Sequence, residues 1–501
     1  MLFFSGSIAS GYHLLDDHEI IDMHQELQGS AHDFGNTVSE WVKKDLGKRL
    51  RPFYFVHRLI EARLFGANLE IWSCYQGFLA VLTSFFLFLF FRLHHAPLIL
   101  SLAFPFVTLL GPQTQIWWCL GPAEVPGILL FSLSLVLLWF SARRVGPVRL
   151  WRLLFLVTVL IMSLCKESFI LIIPFIIVLF VLVYRWNSQL PWIQTLKQTL
   201  FVTVPLAIFL IVELGIIAFV IGTSGEGYAG IDHFNPIEYV QKVFLWSAEP
   251  PFIGVLWCAL SVFVINIAVW AIKSRKSDDW KHIVLDLVSM ILVALLIIVP
   301  QVVLYSKSGL FYSYHVPLAF GYSLLLFPLF YSHARTGLIP QILVLLCILT
   351  LLLPTLKWCY GAAKYFARQG NDINSALTTV KYSTSAGTPI LIVADPILQY
   401  EQTYSVTTNL NYIQERKYLY IDTVFTKEKY DDFQTSLIPH FARFFDATRW
   451  IQTFQNSNKF GCIIIFPDAE PFFLNQHHLW FETGGYSRRA YENFILYVKN
   501  C

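Results

Sequence analysis

Asp16, Asp17, His18 and Glu19 stand in succession near the start of a chain in which only 14% of residues are charged. Three carboxylates and an imidazole in four positions can take a proton from a hydroxyl, orient an acceptor, or offer oxygen ligands to a hard cation. A simpler role is also open, because Asp16-x-x-Glu19 ahead of Ile20 has the spacing of a helix capping box. One cap uses one aspartate, so Asp17 is left over as a second carboxylate without a capping duty.

Lys166 and Glu167 form the charged pair of a short turn, Leu164-Cys165-Lys166-Glu167-Ser168, between two apolar runs. An ammonium there suits a phosphate and a carboxylate can orient a neighbour; as a plain hairpin, the turn needs polar residues and Lys166 snorkels to the interface. Lys307, Tyr312, Tyr314 and His315 crowd a further loop, and Arg49, Arg51 and Arg58 lie in the first. An interfacial aromatic belt accounts for each tyrosine singly. Together with the acidic stretch, these cations supply what is needed to hold an anionic lipid head group while a base acts beside it. Glu213 falls near the centre of the apolar run 200–222, where an ionised group costs about 2.5–3.5 kcal/mol and a transport role is the natural expectation.

The elements that must position these residues follow from composition. Of 501 residues, 56% are hydrophobic, above the roughly 45–50% of soluble domains, so a polytopic α-helical membrane protein is expected. Lys and Arg number 36 against 33 Asp and Glu, which leaves no basic face for nucleic acid. The 8 cysteines are scattered singly, with neither a disulfide framework nor zinc spacing.

Residues 1–15 read as the outer end of a first span that the chain enters part-way, and 16–70 as a polar loop. Within that loop Ile20, Met23 and Leu27 predict an amphipathic helix on the membrane surface. Apolar runs at 71–91, 96–111, 123–140, 150–164, 169–184, 200–222, 252–272, 283–305, 315–331 and 338–354 bring the expected spans to about 11. Beyond the first loop, one set of alternate loops holds 12 basic residues, among them Arg143, Arg144, Arg149 and Arg152, and the other holds 3, namely Lys166, Lys242 and Lys307. Because basic loops stay cytoplasmic, the acidic stretch and the tail are expected outside the cell membrane. The expected domains are thus 1–355, embedded, and 356–501, where short apolar runs at 389–393, 418–421 and 462–466 between polar stretches predict an extracytoplasmic α/β domain.

At these residues the chain resembles the GT-C superfamily of integral-membrane glycosyltransferases, and within it the bacterial members similar to protein mannosyltransferases. Leu15-Asp16-Asp17-His18-Glu19 matches the acidic motif of the first outer loop, Arg49-Leu50-Arg51-Pro52-Phe53-Tyr54 the R-x-R-P-x-Y segment, and Cys165-Lys166-Glu167-Ser168 the Lys-Glu turn. The resemblance spans about residues 1–355; the incomplete first span and the tail depart from it. It implies hexosyl or pentosyl transfer from a polyprenyl-phosphate sugar to a glycan, lipid or protein acceptor, with inversion. Asp17 is then the general base and Asp16 its understudy. Glu19 and His18 orient base or acceptor, and Arg49, Arg51, Lys166, Glu167, Lys307, Tyr314 and His315 surround the donor phosphate. Family members differ in using a divalent cation, for which Asp16, Asp17 and Glu19 are the oxygen ligands on offer. A transporter or flippase of a lipid-linked or anionic solute is the alternative, resting on Glu213.

Overall fold

The computed structural model of the chain describes residues 2–11, 17–29, 33–47, 49–143, 147–221, 235–248, 254, 256–257, 279–305, 314–325, 338–395, 399–423, 459–483 and 485–500. Asp16, Lys307, Tyr312 and most of the span expected at 252–272 lie outside the described residues.

The N-terminal helix α1 (Leu2–Ser5) precedes three helices of the first loop: α2 (Asp17–Gln28), α3 (Phe34–Leu46) and α4 (Pro52–Phe65). Pro52 opens α4 at the position where its missing N–H costs nothing. The apolar stripe of α2 forms as the spacing predicts, but it is not laid on the membrane surface. Ile20, Ile21 and Met23 are buried in one cluster with Tyr54, Phe55 and Leu59 of α4 and with Val406 and Leu410 from the tail. Protein takes the place of lipid because the C-terminal domain packs over this helix.

The embedded body follows: α5 (Leu69–Leu93), α6 (Leu98–Leu109), α7 (Glu124–Ala142), α8 (Val148–Ser163), α9 (Glu167–Ile170), α10 (Ile173–Ser188) and α11 (Trp192–Ile216). Beyond these come α12 (Pro236–Ser247), α13 (Asp279–Leu304), α14 (His315–Leu324) and α15 (Leu338–Ser383). Among the described residues, 4 helical stretches are long and apolar enough to cross a membrane: Leu69–Leu93, Glu124–Ala142, Glu167–Ser188 and Trp192–Ile221. The chain is a multi-pass membrane protein.

Helix α7 is the axis of this body. It is buried on almost every side, and its serines Ser132, Ser134 and Ser141 return their hydroxyls to backbone carbonyls three residues earlier, as buried polar groups in an apolar interior must. Gly127 lets the ring of Phe169 close in, since a Cβ there would stand 2.1 Å from a ring carbon. By contrast α11 turns Ile208, Ile211 and Val212 outward, as a helix facing lipid does.

The boundary expected at residue 355 falls inside α15, a single helix of 46 residues that carries the last apolar run into the tail. Its C-terminal carbonyls are gathered by Arg416, which donates to Val380 O, Thr384 O, Lys381 O and Ser385 O. The tail is a mixed five-stranded sheet in the order β2-β1-β3-β5-β4. Its strands are β1 (Ile390–Ala394), β2 (Leu419–Thr423), β3 (Cys462–Ile465), β4 (Tyr486–Ala490) and β5 (Ile495–Lys499). β1 lies parallel between β2 and β3 and is buried along its whole length. Helix α16 (Tyr400–Thr408) follows β1, and α17 (Glu470–Thr483) follows β3. The C-terminal hairpin β4–β5 was not foreseen from the sequence: β4 is a half-exposed edge carrying Arg488 and Arg489, so its pattern is that of a polar stretch.

Candidate active site at the helix ends

Asp17 is the first residue of α2 and is fully buried, with His18 nearly so. The Glu19 carboxylate accepts from the Tyr54 hydroxyl at 3.2 Å, and the same hydroxyl lies 2.9 Å from the Gly121 carbonyl. Three residues beyond Gly121, Glu124 opens α7 and is paired with the Lys166 ammonium, both side chains being almost wholly buried. One short chain of contacts thus runs from the acidic helix, through α4, to the Lys-Glu turn.

Both motifs of the first loop dock on that turn. The Leu50 N–H donates to Glu167 Oε1 at 3.1 Å, and the Phe53 N–H to the Leu164 carbonyl at 3.0 Å. Glu167 therefore orients a neighbour, and the neighbour is the backbone of the R-x-R-P segment. Arg51 makes a bidentate pair with Asp45, its Nε and Nη2 lying 2.9 Å from the two carboxylate oxygens, and it covers the rings of Tyr54 and Phe55 at 5.1 and 5.3 Å. Burial opposes the Arg51 charge, but Asp45 more than offsets it and holds the guanidinium above its ordinary range. Burial likewise raises Asp45 against the pull of Arg51.

Lys166 rests over the Tyr314 ring at 4.2 Å, and Tyr314 stacks on Tyr305 with centroids 4.3 Å apart. Burial lowers the ammonium from its usual range while Glu124 works the other way, and Arg49 is close enough to lower it further. His315 begins α14 beside this stack and is buried. Arg49, Lys166, Glu167, Tyr314 and His315 thus gather at the turn, with Arg51 alongside. Asp17, His18 and Glu19 begin α2, where Glu19 is within electrostatic reach of Arg51 and Arg58. Arg58 is itself buried, 3.5 Å from Glu61 and 4.9 Å from the Trp72 ring. Among the described residues no group of three His, Cys, Asp or Glu side chains is placed to hold a metal ion; of the expected oxygen ligands, Asp16 is outside the described residues.

Glu213 requires a change of position. Its helix starts at Trp192, not near residue 200, and the helical stretch runs on to Ile221, so the glutamate lies in the C-terminal half of the span and not at its centre. Ser163, the final residue of α8 and two short of Cys165, donates its hydroxyl to Glu213 Oε1 at 2.5 Å. The carboxylate is therefore tied to the end of α8 that leads into the Lys-Glu turn.

Four participants were not singled out from sequence. Glu124 stood at the edge of the expected run 123–140, and a carboxylate opening an otherwise apolar span is the signal that would have found it. Tyr404, Ser405 and Asp22, which join the tail to α2, carry no spacing signal.

No protein-family model matches the sequence, and no curated protein matches it. Two solved structures are similar in overall form. The crystal structure of ArnT from Cupriavidus metallidurans bound to undecaprenyl phosphate has 11% sequence identity and a TM-score of 0.44, over 92% of this chain and 91% of that one. The structure of the same protein in the apo state has 10% identity and a TM-score of 0.45, over 97% of this chain and 92% of that one. Likeness at this level assigns no residue a role.

Proposed function

We propose that the protein is a membrane glycosyltransferase that moves a hexosyl or pentosyl group from a polyprenyl-phosphate donor to an acceptor hydroxyl outside the cell membrane. The observation that carries this is the link between motifs distant in sequence: the acidic start of α2, the R-x-R-P segment and the Lys-Glu turn are joined through Tyr54, Gly121, Glu124 and the Leu50 N–H.

Asp17 accepts the proton of the acceptor hydroxyl. The acceptor oxygen forms a bond to the anomeric carbon, and the bond from that carbon to the phosphate oxygen breaks, the lipid phosphate leaving with the electron pair and the configuration inverting. A phosphate leaving group needs cations rather than an acid. Arg49, Lys166 and, from outside the described residues, Lys307 are assigned to it. Asp45 fixes Arg51, which favours a role in shaping the site for that arginine over a direct grip on phosphate. Glu19 and His18 orient the base, and Asp16 stands as its understudy.

About 11 spans and an outward-facing α2 and tail complete the proposal, supported by the partition of 12 basic loop residues against 3. A reporter fusion that placed the sheet domain in the cytoplasm would overturn the orientation. The decisive experiment is sugar transfer from a prenyl-phosphate donor by the purified chain and by Asp17→Asn: near-complete loss with donor binding retained is the expected result, and full activity removes the proposed base.

A further inference from the structure

Helix α2 is gripped by two adjacent side chains of the outer domain. Tyr404 donates its hydroxyl to Asp22 Oδ2 at 2.6 Å, and its ring packs on His18 with centroids 4.4 Å apart. Ser405 Oγ lies 3.2 Å from His18 Nδ1. Ser405 and His18 are both buried, and Val406 of the same helix enters the core shared with Ile20, Ile21 and Met23.

His18 and Asp22 are four residues apart, so they lie on one face of α2 nearly in line along its axis. Two contacts so placed fix the rotation of the helix as well as its position. Asp17 and Glu19 each stand about 100° round the axis from His18, one to either side, so that rotation decides where both carboxylates point. One face of the sheet has a separate core formed by β1, β3 and β5, whereas Tyr404 packs against the cluster that the other face shares with α2.

We infer that Tyr404 and Ser405 are positioning residues for the acidic motif, so that the C-terminal α/β domain is a structural part of the active site. The inference rests on the glycosyltransferase proposal for its catalytic consequence, but not for the contact itself. The environment of Asp22 agrees with it: burial pushes this carboxyl up to about 6, the Tyr404 hydrogen bond and His18 pull it back, and Glu26 and Glu19 push it up further. The tyrosine hydroxyl is thus a principal support of the ionised form.

The test uses the full chain in lipid nanodiscs with Tyr404→Phe, Ser405→Ala and Ser405→Thr. Tyr404→Phe keeps the ring and the buried volume, so the fold is retained. Amide hydrogen exchange over residues 17–28 should quicken in Tyr404→Phe and Ser405→Ala while the membrane spans exchange as before. Transfer from a prenyl-phosphate sugar should show kcat lowered about 10-fold with donor KM within about twofold, because small misplacements of a reacting group cost up to roughly 10²-fold. Ser405→Thr, which keeps the hydroxyl, should restore both readouts. Unchanged exchange and unchanged kcat in both Tyr404→Phe and Ser405→Ala overturn the inference, as does a rise in KM alone. If the unaltered chain transfers no sugar, the enzymatic proposal fails by itself; the exchange measurement then decides the contact, with faster exchange upholding it and no change removing it.

Discussion

The acidic helix α2 and the Lys-Glu turn are two charged regions of the candidate site, and they handle charge in opposite ways. At the turn, each charge is answered from within the embedded body or its first loop: Lys166 by Glu124, Glu167 by the Leu50 N–H. On α2 the partners come from two separate parts of the chain, Tyr54 of the first loop for Glu19, and Tyr404 and Ser405 of the tail for Asp22 and His18. A pair closed on itself fixes backbone; a helix held from both sides has its orientation set from outside. The turn is accordingly the frame of the site, and α2 its adjustable part.

Substitutions should separate frame from adjustable part. The largest effect is expected at Asp17→Asn, which keeps the side chain's size but cannot take the proton: turnover should fall roughly 10²–10⁴-fold with donor binding and melting temperature nearly unchanged. Lys166→Ala should weaken donor binding and stability together, since Lys166 both answers Glu124 and is assigned to the phosphate. It strands a buried carboxylate, at a cost of about 3–5 kcal/mol, whereas Lys166→Met combined with Glu124→Gln should recover most of that stability but not the binding. Thermal unfolding of the single and double variants, with donor binding measured alongside, checks this; lost stability with donor binding unchanged would leave Lys166 in the frame alone and take it off the phosphate.

Asp22 offers a pH readout. Its carboxyl titrates near 6 in the folded chain against an ordinary value of 3.8, so the native state holds a proton that the unfolded state has released between about pH 4 and 6. Stability from this group is therefore present below that window and lost as pH rises through it. Asp22→Asn keeps an acceptor for Tyr404 and should stabilise the chain at pH 7 by on the order of 2 kcal/mol while flattening the pH dependence. Melting curves from pH 4 to pH 8 would expose the opposite sign. The smallest effect belongs to Ser163→Ala, which removes one hydrogen bond to Glu213 and should cost about 1 kcal/mol with transfer rate intact; a large loss of transfer there would bring Glu213 into the chemistry.

Much of the fold was legible because its signals are local. Period and apolarity mark α5, α7, the buried strands β1 and β3 and the edge strand β2 within a residue or two. The amphipathic stripe Ile20, Met23 was legible too, but periodicity says only that a face is buried, not whether lipid or protein buries it. The start of α11 was misplaced for a related reason: a more polar stretch, Trp192 to Thr199, belongs to the helix although hydropathy draws the span later. In the site, the residues that carry charge were visible from type and order, whereas Glu124, Tyr404 and Ser405 depend on contacts between segments far apart in sequence, which no spacing encodes.

Helix α15 runs 46 residues without a break in its assignment, about 69 Å at 1.5 Å per residue, and Arg416 fastens its far end to the sheet domain. Such an element is a lever, and on the proposed topology its apolar start, 338–354, lies in the bilayer. Tilting it by about 10° swings its tip by roughly 12 Å over that length. Hydrocarbon thickness, which sets the tilt of spans at small energetic cost, therefore has a mechanical route to the domain that holds α2. Bilayers of different acyl length become a control on the site that involves no ligand.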